Sequence, residues 1–464
     1  MNNLVKLYPV TISITIATIF LFGCSSLRHW LYQSNAWDLG IFDQAIYLIS
    51  IGQKPIVSLL GFHILGDHAT LFFYPLALLY KIYPNVHWLF LVQAVALTIG
   101  GFPLYYLALQ AKLNHHQAKT IVFAYLLYPL ILNKSLFDFY PDVIAVPGFL
   151  IAILAARTNK IFLFCVAITI ILSSKAVISL TVVSMGLWLA LCEHKKLFGA
   201  IAIVTGLAWF IISTQSIVPT FLGDAMGGTT GALSRYSYLG NSIIEIATNI
   251  FLRPSLVFGK VFSLATLEYI VLLILPIIWG LSPKYLLPLW GAAPMLGMNI
   301  LSTTAAQRNL VHHYSLPILP FLFLAVISAV ANQQNWLKTR RTILIWSIVS
   351  FLLLGKIGYL PSYFTNLDTH QAKATAIARI QDSGAVLTTG EIAPHLTHRP
   401  IIKLTFNGTE SIDLQSFKYI LLDQRHPGWN SSVELIKTLK RRTQDSGSFK
   451  LEYQQDDIYL FVKK

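Results

Sequence analysis

Apolar residues along this chain fall in long runs rather than in strict alternation or narrow stripes, and many runs approach the length of a bilayer-crossing helix. Candidate spans lie at roughly 8–25, 86–109, 119–135, 142–156, 160–175, 176–192, 197–222, 264–281, 285–303, 309–330 and 341–360. Several are shorter than the roughly 20 residues that cross a bilayer without tilt, so their ends are soft. The pattern predicts a polytopic α-helical membrane protein of about 11 transmembrane helices. One apolar stretch, His68 to Tyr83, resists this reading, because it opens with Asp67-His68, contains Pro75 and ends at Lys81 and Pro84.

Loop charges decide how to treat it. If 68–83 lies along the interface or re-enters, the short loops carrying Lys112 and Lys119, Arg157 and Lys160, Lys195 and Lys196, Lys284, and Lys338, Arg340 and Arg341 share the side of Lys6. The positive-inside rule makes that side cytoplasmic. If the stretch crossed, the basic loops would face outward. The expected arrangement is a membrane domain over 1–360, a cytoplasmic N-terminus in a bacterial inner membrane, and long outer segments at 25–85 and 223–263. The second contains Gly223 to Gly231, a glycine-rich flexible loop with no phosphate-loop lysine.

Composition changes after Leu360, where residues 361–464 hold 11 of the 20 acids and 13 of the 34 Lys and Arg residues. A small soluble α/β domain follows: a helix near 367–382, a strand at 385–388, a short helix around Glu391 to Thr397, a buried strand Tyr419 to Asp423, a helix at 431–443 and a final strand pair. With 11 spans it is extracytoplasmic.

The net charge of +14 suits loops facing anionic membrane lipid, and no basic patch interleaved with aromatics points to a nucleic acid. Cys24, Cys165 and Cys192 lie inside or at the ends of apolar segments and imply neither a disulfide framework nor a metal spacing. Leu21-Phe22-Gly23-Cys24 is loosely like a lipoprotein leader, but bulky Phe22 favours an uncleaved first helix.

Candidate chemistry gathers on one face. Before residue 361 the carboxylates are Asp38, Asp43, Asp67, Asp138, Asp142, Glu193, Asp224, Glu245 and Glu268, and all but Glu193 fall at or near the outer face, with Lys175, Arg308, His312 and His313. This is the placement expected of a reaction site for a lipid-borne substrate. Asp38, in Trp37-Asp38-Leu39-Gly40-Ile41-Phe42-Asp43-Gln44, either caps the following helix or faces a cleft as a catalyst, while Asp43 and Gln44 orient partners. Asp67-His68, near His63, does not make a metal site alone; a divalent cation is possible but no spacing requires one. Asp138 lies between two Phe residues, whereas Asp142 after Pro141 suits a helix start. Lys175, Arg308, His312 and His313 are suitable donors to a phosphate, although Lys175 could equally snorkel to the interface.

Several stretches together resemble the family known as domain of unknown function 2079: Trp37 to Gln44, Gly66-Asp67-His68, Gln93 to Tyr105, Leu126 to Pro141, Gln307 to Tyr314 and Pro394-His395-Leu396-Thr397-His398-Arg399. That family is similar to GT-C glycosyltransferases, polytopic enzymes that take a sugar from a polyprenyl-phosphate carrier at the outer membrane face. The resemblance implies that Asp38 is the catalytic carboxylate and that 68–83 belongs to the first outer loop. Substrate binding is expected from Asp43, Gln44, Asp67, His68, Asp138, Lys175, Arg308, His312 and His313. Family members usually carry His where this chain has Tyr140, and an acidic pair where it has Ala176 and Val177, which implies altered specificity or lost activity. The competing reading is a transporter or flippase of lipid-linked saccharides, or a non-catalytic member; a transporter usually shows internal repeats, and none is visible.

Overall fold

A computed structural model describes residues 2–223 and 233–464. Asp224 and most of the glycine-rich loop therefore lie outside the described residues. The chain divides into two compact units: one of Met1–Phe22, Leu65–Phe72 and Leu91–Ile357, the other of Gly23–Ile64, Phe73–Phe90 and Gly358–Lys464. Residues 358–464 thus share a unit with 23–64 and 73–90, a division that the composition change at residue 360 does not reveal.

The first unit is helical. Each expected apolar run lies largely on helix, although the first, expected at 8–25, extends over Asn2–Trp30, the run expected from 309 becomes helical only at His313, and many are broken. Pro129 starts Pro129–Ser135 after His115–Leu126, and Pro276, Pro288 and Pro317 each fall in tightened 3-10 segments, Leu275–Gly280, Leu287–Ala292 and His313–Ile318. Among the described residues, four helices are long and apolar enough to cross a membrane, or up to six if each bent pair is one span. The expected 11 spans are thus not reproduced as a count: four to six candidate crossings are found among the described residues, the other apolar helices being shorter or broken. Helix Phe73–Ile82 has 10 residues, about 15 Å of rise against a hydrocarbon core of about 30 Å.

Small residues bring two helices of this unit close. A Cβ built on Gly199 would lie 2.6 Å from the Gly186 carbonyl oxygen, and one on Gly186 would lie 2.8 Å from that of Gly199, so Ile178–Leu191 and Lys196–Ile212 pack backbone to backbone. Trp188, Phe149, Phe164 and Phe321 fill the interior.

The second unit is built on a sheet. A short hairpin, β1 (Ile56–Val57) with β2 (Phe62–His63), lies in segment 23–64. Strands β3 (Val386–Thr388), β4 (Ile402–Leu404), β5 (Tyr419–Asp423), β6 (Phe449–Gln455) and β7 (Ile458–Lys463) form one sheet in the order β4-β3-β5-β7-β6. β4, β3 and β5 are parallel, while β7 pairs antiparallel with both β5 and β6. β5 is buried throughout, and its period of two sends Tyr419 and Leu421 to one apolar cluster and Ile420 and Leu422 to the other. The first cluster also takes Ala36, Trp37 and Leu59, so segment 36–59 closes that face; Leu435, Ile436 and Leu439 of helix Val433–Asp445 close the opposite one.

Candidate functional site

In the second unit, helix Ile41–Ser50 is preceded by a π-turn, Ala36–Gly40, that carries Asp38. Its N-cap is Asn35, whose side chain accepts from the Trp37 amide at 2.8 Å, and helix Ile41–Ser50 begins with no side-chain cap. Asp38 is half-buried and does neither capping job, although a cap is the commonest structural use of such an aspartate.

Asp43, one turn further on, is 1% exposed and densely bound. It accepts from the Tyr80 hydroxyl at 2.5 Å and from the Thr397 hydroxyl, and His398 Nε2 lies 3.2 Å from its Oδ2. Burial pushes the carboxyl up, but His398, Thr397 and Tyr80 outweigh it and hold it below its ordinary range. Burial lowers His398 in turn, yet the Asp43 charge raises it on balance. The Tyr47 ring stacks on the His398 imidazole at 4.7 Å.

Gln44 is equally committed. Its Nε2 donates to Ser58 Oγ at 2.9 Å and to the Arg399 carbonyl at 2.8 Å, and its Oε1 accepts from the Ser58 amide at 3.0 Å. Ser58 Oγ also donates to the Ile402 carbonyl at 2.9 Å, which ties the hairpin to β4. Asp43 and Gln44 therefore join helix Ile41–Ser50 to segment 394–402. Sequence reading singled out the two side chains but missed their partners Tyr80, Thr397 and His398, for which the motif Pro394 to Arg399 was the available signal.

Beside this pair lies a pocket of about 270 Å³, lined among others by His29, Asp43, His87, His395, Thr397 and His398. The His29 and His395 rings stack at 3.9 Å, and burial pushes His395 down to about 3, so it is neutral. The lining is therefore polar, with its charge confined to the Asp43–His398 pair and Arg399.

In the first unit, the cationic candidates separate into two places. Between helices Ile161–Ser174 and Ile178–Leu191 the backbone extends at Lys175, with φ −163° and ψ 137°. Segment 68–72 laces to this break: Ala176 N donates to the His68 carbonyl at 3.0 Å, the Thr70 hydroxyl to that of Ser174 at 2.8 Å, and Phe72 N to that of Ser173 at 3.0 Å. Lys175 is thereby turned inward and is 8% exposed, so it does not snorkel. Its Nζ lies 3.9 Å from Asp142 Oδ2 and 3.4 Å from His313 Nε2, and His313 lies 3.7 Å from Asp142.

Tyr140 stacks on His313 at 3.8 Å, and Lys134 Nζ, itself fully buried, lies 4.8 Å from the Tyr140 ring centre and donates to the Asp138 carbonyl. Asp142 Oδ1 and His313 Nδ1 are buried with no hydrogen-bond partner among the described residues. Asp142, Tyr140 and Lys134 complete a cluster that sequence reading credited only to Asp138, Lys175 and His313. Asp67 pairs with His68 at 3.4 Å, and desolvation pushes its carboxyl up to about 6 although Lys175 and Arg235 pull it down.

Arg308 is elsewhere. Its Nη1 donates to the Ser302 carbonyl at 2.7 Å and the Ile300 carbonyl at 3.2 Å, and it lines a pocket of about 380 Å³ with Lys260, Tyr238, Ser255 and Ser263. His312 is in neither group: it meets Asn309 at 3.0 Å and the edge of Phe137 at 5.0 Å. Among the described residues no cluster of three or more His, Cys, Asp or Glu side chains is arranged to hold a metal ion.

Over residues 28–460 the sequence matches the family described as "Predicted membrane protein (DUF2079)". The chain belongs to this family. No curated protein matches the sequence. Among solved structures, the DUF2079 fold described here is similar to ArnT from Cupriavidus metallidurans bound to undecaprenyl phosphate, with a TM-score of 0.54, 11% identity and 98% of each chain covered. The apo form of the same protein aligns at a TM-score of 0.39, 11% identity and 96% and 97% coverage of this chain and that one. At this identity the likeness is one of fold, and it bears out the GT-C resemblance read from the sequence.

Proposed function

We propose that this DUF2079 protein is a membrane glycosyltransferase that moves a sugar from a polyprenyl-phosphate-linked donor to an acceptor hydroxyl at the extracytoplasmic face. The observation that carries the reading is the pocket of about 380 Å³ where Arg308 and Lys260 converge with two serine hydroxyls, in a chain whose fold resembles that of ArnT bound to undecaprenyl phosphate. Two cations and the Ser255 hydroxyl beside apolar surface suit a lipid phosphate, while the Ser263 hydroxyl donates to the Lys260 carbonyl.

Asp38 is assigned the general base. It takes the acceptor proton as the acceptor oxygen attacks the anomeric carbon; the bond from that carbon to the phosphate oxygen breaks, and the phosphate leaves with the electron pair. The assignment follows the position of Asp38 in the stretch Trp37 to Gln44, while the Asp43 carboxylate holds Tyr80, Thr397 and His398. Arg308 and Lys260 receive the phosphate, and the Lys175–His313 cluster supports donor binding. A general base contributes about 10²- to 10⁴-fold, and charge stabilisation and positioning supply the remainder.

The test is turnover of polyprenyl-phosphate sugars by the purified protein in nanodiscs supplied with membrane extract, read as released polyprenyl phosphate. Asp38→Asn should lose about 10²- to 10⁴-fold in rate while still binding donor. Unchanged turnover in the variant removes Asp38 from the role; no turnover with any donor, together with saccharide movement across vesicles, supports the transporter reading instead.

A further inference from the structure

The C-terminal sheet carries a second polar site, away from the Asp43 pocket. β4 and β5 lie on opposite sides of β3, so the chain steps one way from β3 to β4 and returns past it to β5. In open parallel sheets such a reversal opens a crevice at the carboxyl ends of the strands, where ligands bind. Here those ends carry Thr388 and Thr389 after β3, Thr405 after β4, and Asp423 and Gln424 after β5.

Two further observations point to a ligand. The hydroxyls of Thr388, Thr389, Thr405 and Ser431 and the side-chain carbonyl of Gln424 are all buried with no hydrogen-bond partner among the described residues, and the three threonines are 0%, 0% and 2% exposed. Buried hydroxyls normally find partners, so this many at one end of one sheet is unusual. Beside them the fully buried Lys373 Nζ lies 2.9 Å from Asp423 and 3.8 Å from Glu391. Two carboxylates against one ammonium leave the surroundings acidic, which disfavours a phosphate.

The loops after the strands meet over this end. Asn407 N donates to the Asn430 carbonyl at 2.8 Å, and Gly428, at φ +85°, comes close enough that a Cβ there would lie 3.7 Å from Gly390 N. The same loop holds Trp429 at its rim, 72% exposed.

We propose that the carboxyl ends of β3, β4 and β5 bind an uncharged sugar. Hydroxyls of the ring exchange hydrogen bonds with Thr389, Thr405 and Ser431, Gln424 accepts another, and Trp429 offers an aromatic face for the C–H side of the ring. This is a binding site without chemistry, so it goes beyond the transfer reaction and does not rest on it.

The experiment titrates the full chain in nanodiscs with methyl glucoside, methyl galactoside and N-acetylglucosamine, reading tryptophan fluorescence and heat. A parallel set of nanodiscs contains a glycolipid bearing the same sugars, and inorganic phosphate is the anion control. Saturable binding of one sugar, free or as glycolipid, is expected and identifies the source that the site accepts. Thr389→Val and Thr405→Val, nearly isosteric, should weaken it by about tenfold each, and the surface change Trp429→Ala should do likewise without affecting folding. The proposal is overturned if no sugar binds in either form, if binding is the same in all three variants, or if phosphate competes. Because binding rather than turnover is read, an inactive Asp38 leaves the result interpretable.

Discussion

His398 Nε2 lies 3.2 Å from Asp43 Oδ2, joining side chains 355 residues apart in sequence, and each partner shifts the other's protonation. His398 is raised above its ordinary 6.5, so its contribution is complete below that pH and is lost as pH rises through the higher folded value. Asp43 is lowered below its ordinary 3.8, so its contribution is present above that pH and is lost as pH falls through the lower folded value. Amide exchange across helix Ile41–Ser50 should be slowest between these limits and should quicken as pH is taken above 7 after correction for intrinsic rates. His398→Ala should flatten the alkaline limb and cost about 1–3 kcal/mol, less than a fully buried pair because the imidazole is partly solvated. An unaltered pH profile in the variant would assign the dependence elsewhere.

Gln44 makes a prediction of a different kind. Gln44→Leu keeps the volume but leaves the Ser58 amide and the Arg399 carbonyl short of a partner, at about 1–3 kcal/mol for each buried orphan. The hairpin of Ile56–Val57 and Phe62–His63 should then be cut by protease faster than in the parent chain, while the sheet keeps its protection. Equal cleavage rates would show that apolar contacts of Leu59 and Val57 suffice to hold the loop.

What the sequence revealed and what it hid divide along physical lines. The buried strand Tyr419–Asp423, the helix at Val433–Asp445 and the final pair Phe449–Gln455 and Ile458–Lys463 lie where hydropathy period and polar breaks put them, because those signals are local. The helix expected around Glu391 to Thr397 is only the 3-10 turn Ala393–His395, since this segment crosses between parallel strands and its side chains are used for Asp43 and the sheet end. The contact from Asp43 to Thr397 spans 354 residues of sequence and leaves no period to read. Lys175 misled for the same reason: its solvated reading rested on nearness to a helix end, whereas pairing of 68–72 with 173–176 turns it inward. Asp142 suited a helix start, and it does open the 3-10 turn Pro141–Ile144, but its carboxylate also faces Lys175 and His313.

The close helix pair offers a stability test far from the proposed chemistry. Gly199→Ala places a methyl 2.6 Å from a backbone oxygen, where only movement of a whole helix gives relief. The expected loss is about 1–3 kcal/mol, read as a lower melting temperature in nanodiscs. Gly297→Ala, with nothing within 4 Å of the added methyl, is the matched control and should melt like the parent. If both variants melt alike, the glycine contact is not what sets the spacing of Ile178–Leu191 and Lys196–Ile212.

Lys175 can be separated into a structural and a ligand-binding part. Lys175→Met preserves length and apolar bulk but removes the ammonium 3.9 Å from Asp142, leaving a buried carboxylate with His313 at 3.7 Å and only the more remote charge of Lys134. Orphaning a buried charge costs about 3–5 kcal/mol, so the single variant should melt early whatever its role in binding. Adding Asp142→Asn removes the orphaned charge and should restore most of that loss. If Lys175 serves only the fold, the double variant binds polyprenyl phosphate like the parent. If it supports donor binding, the double variant stays stable but its donor KM rises by about 10- to 100-fold with little change in kcat, the pattern of an interaction made equally in ground and transition states.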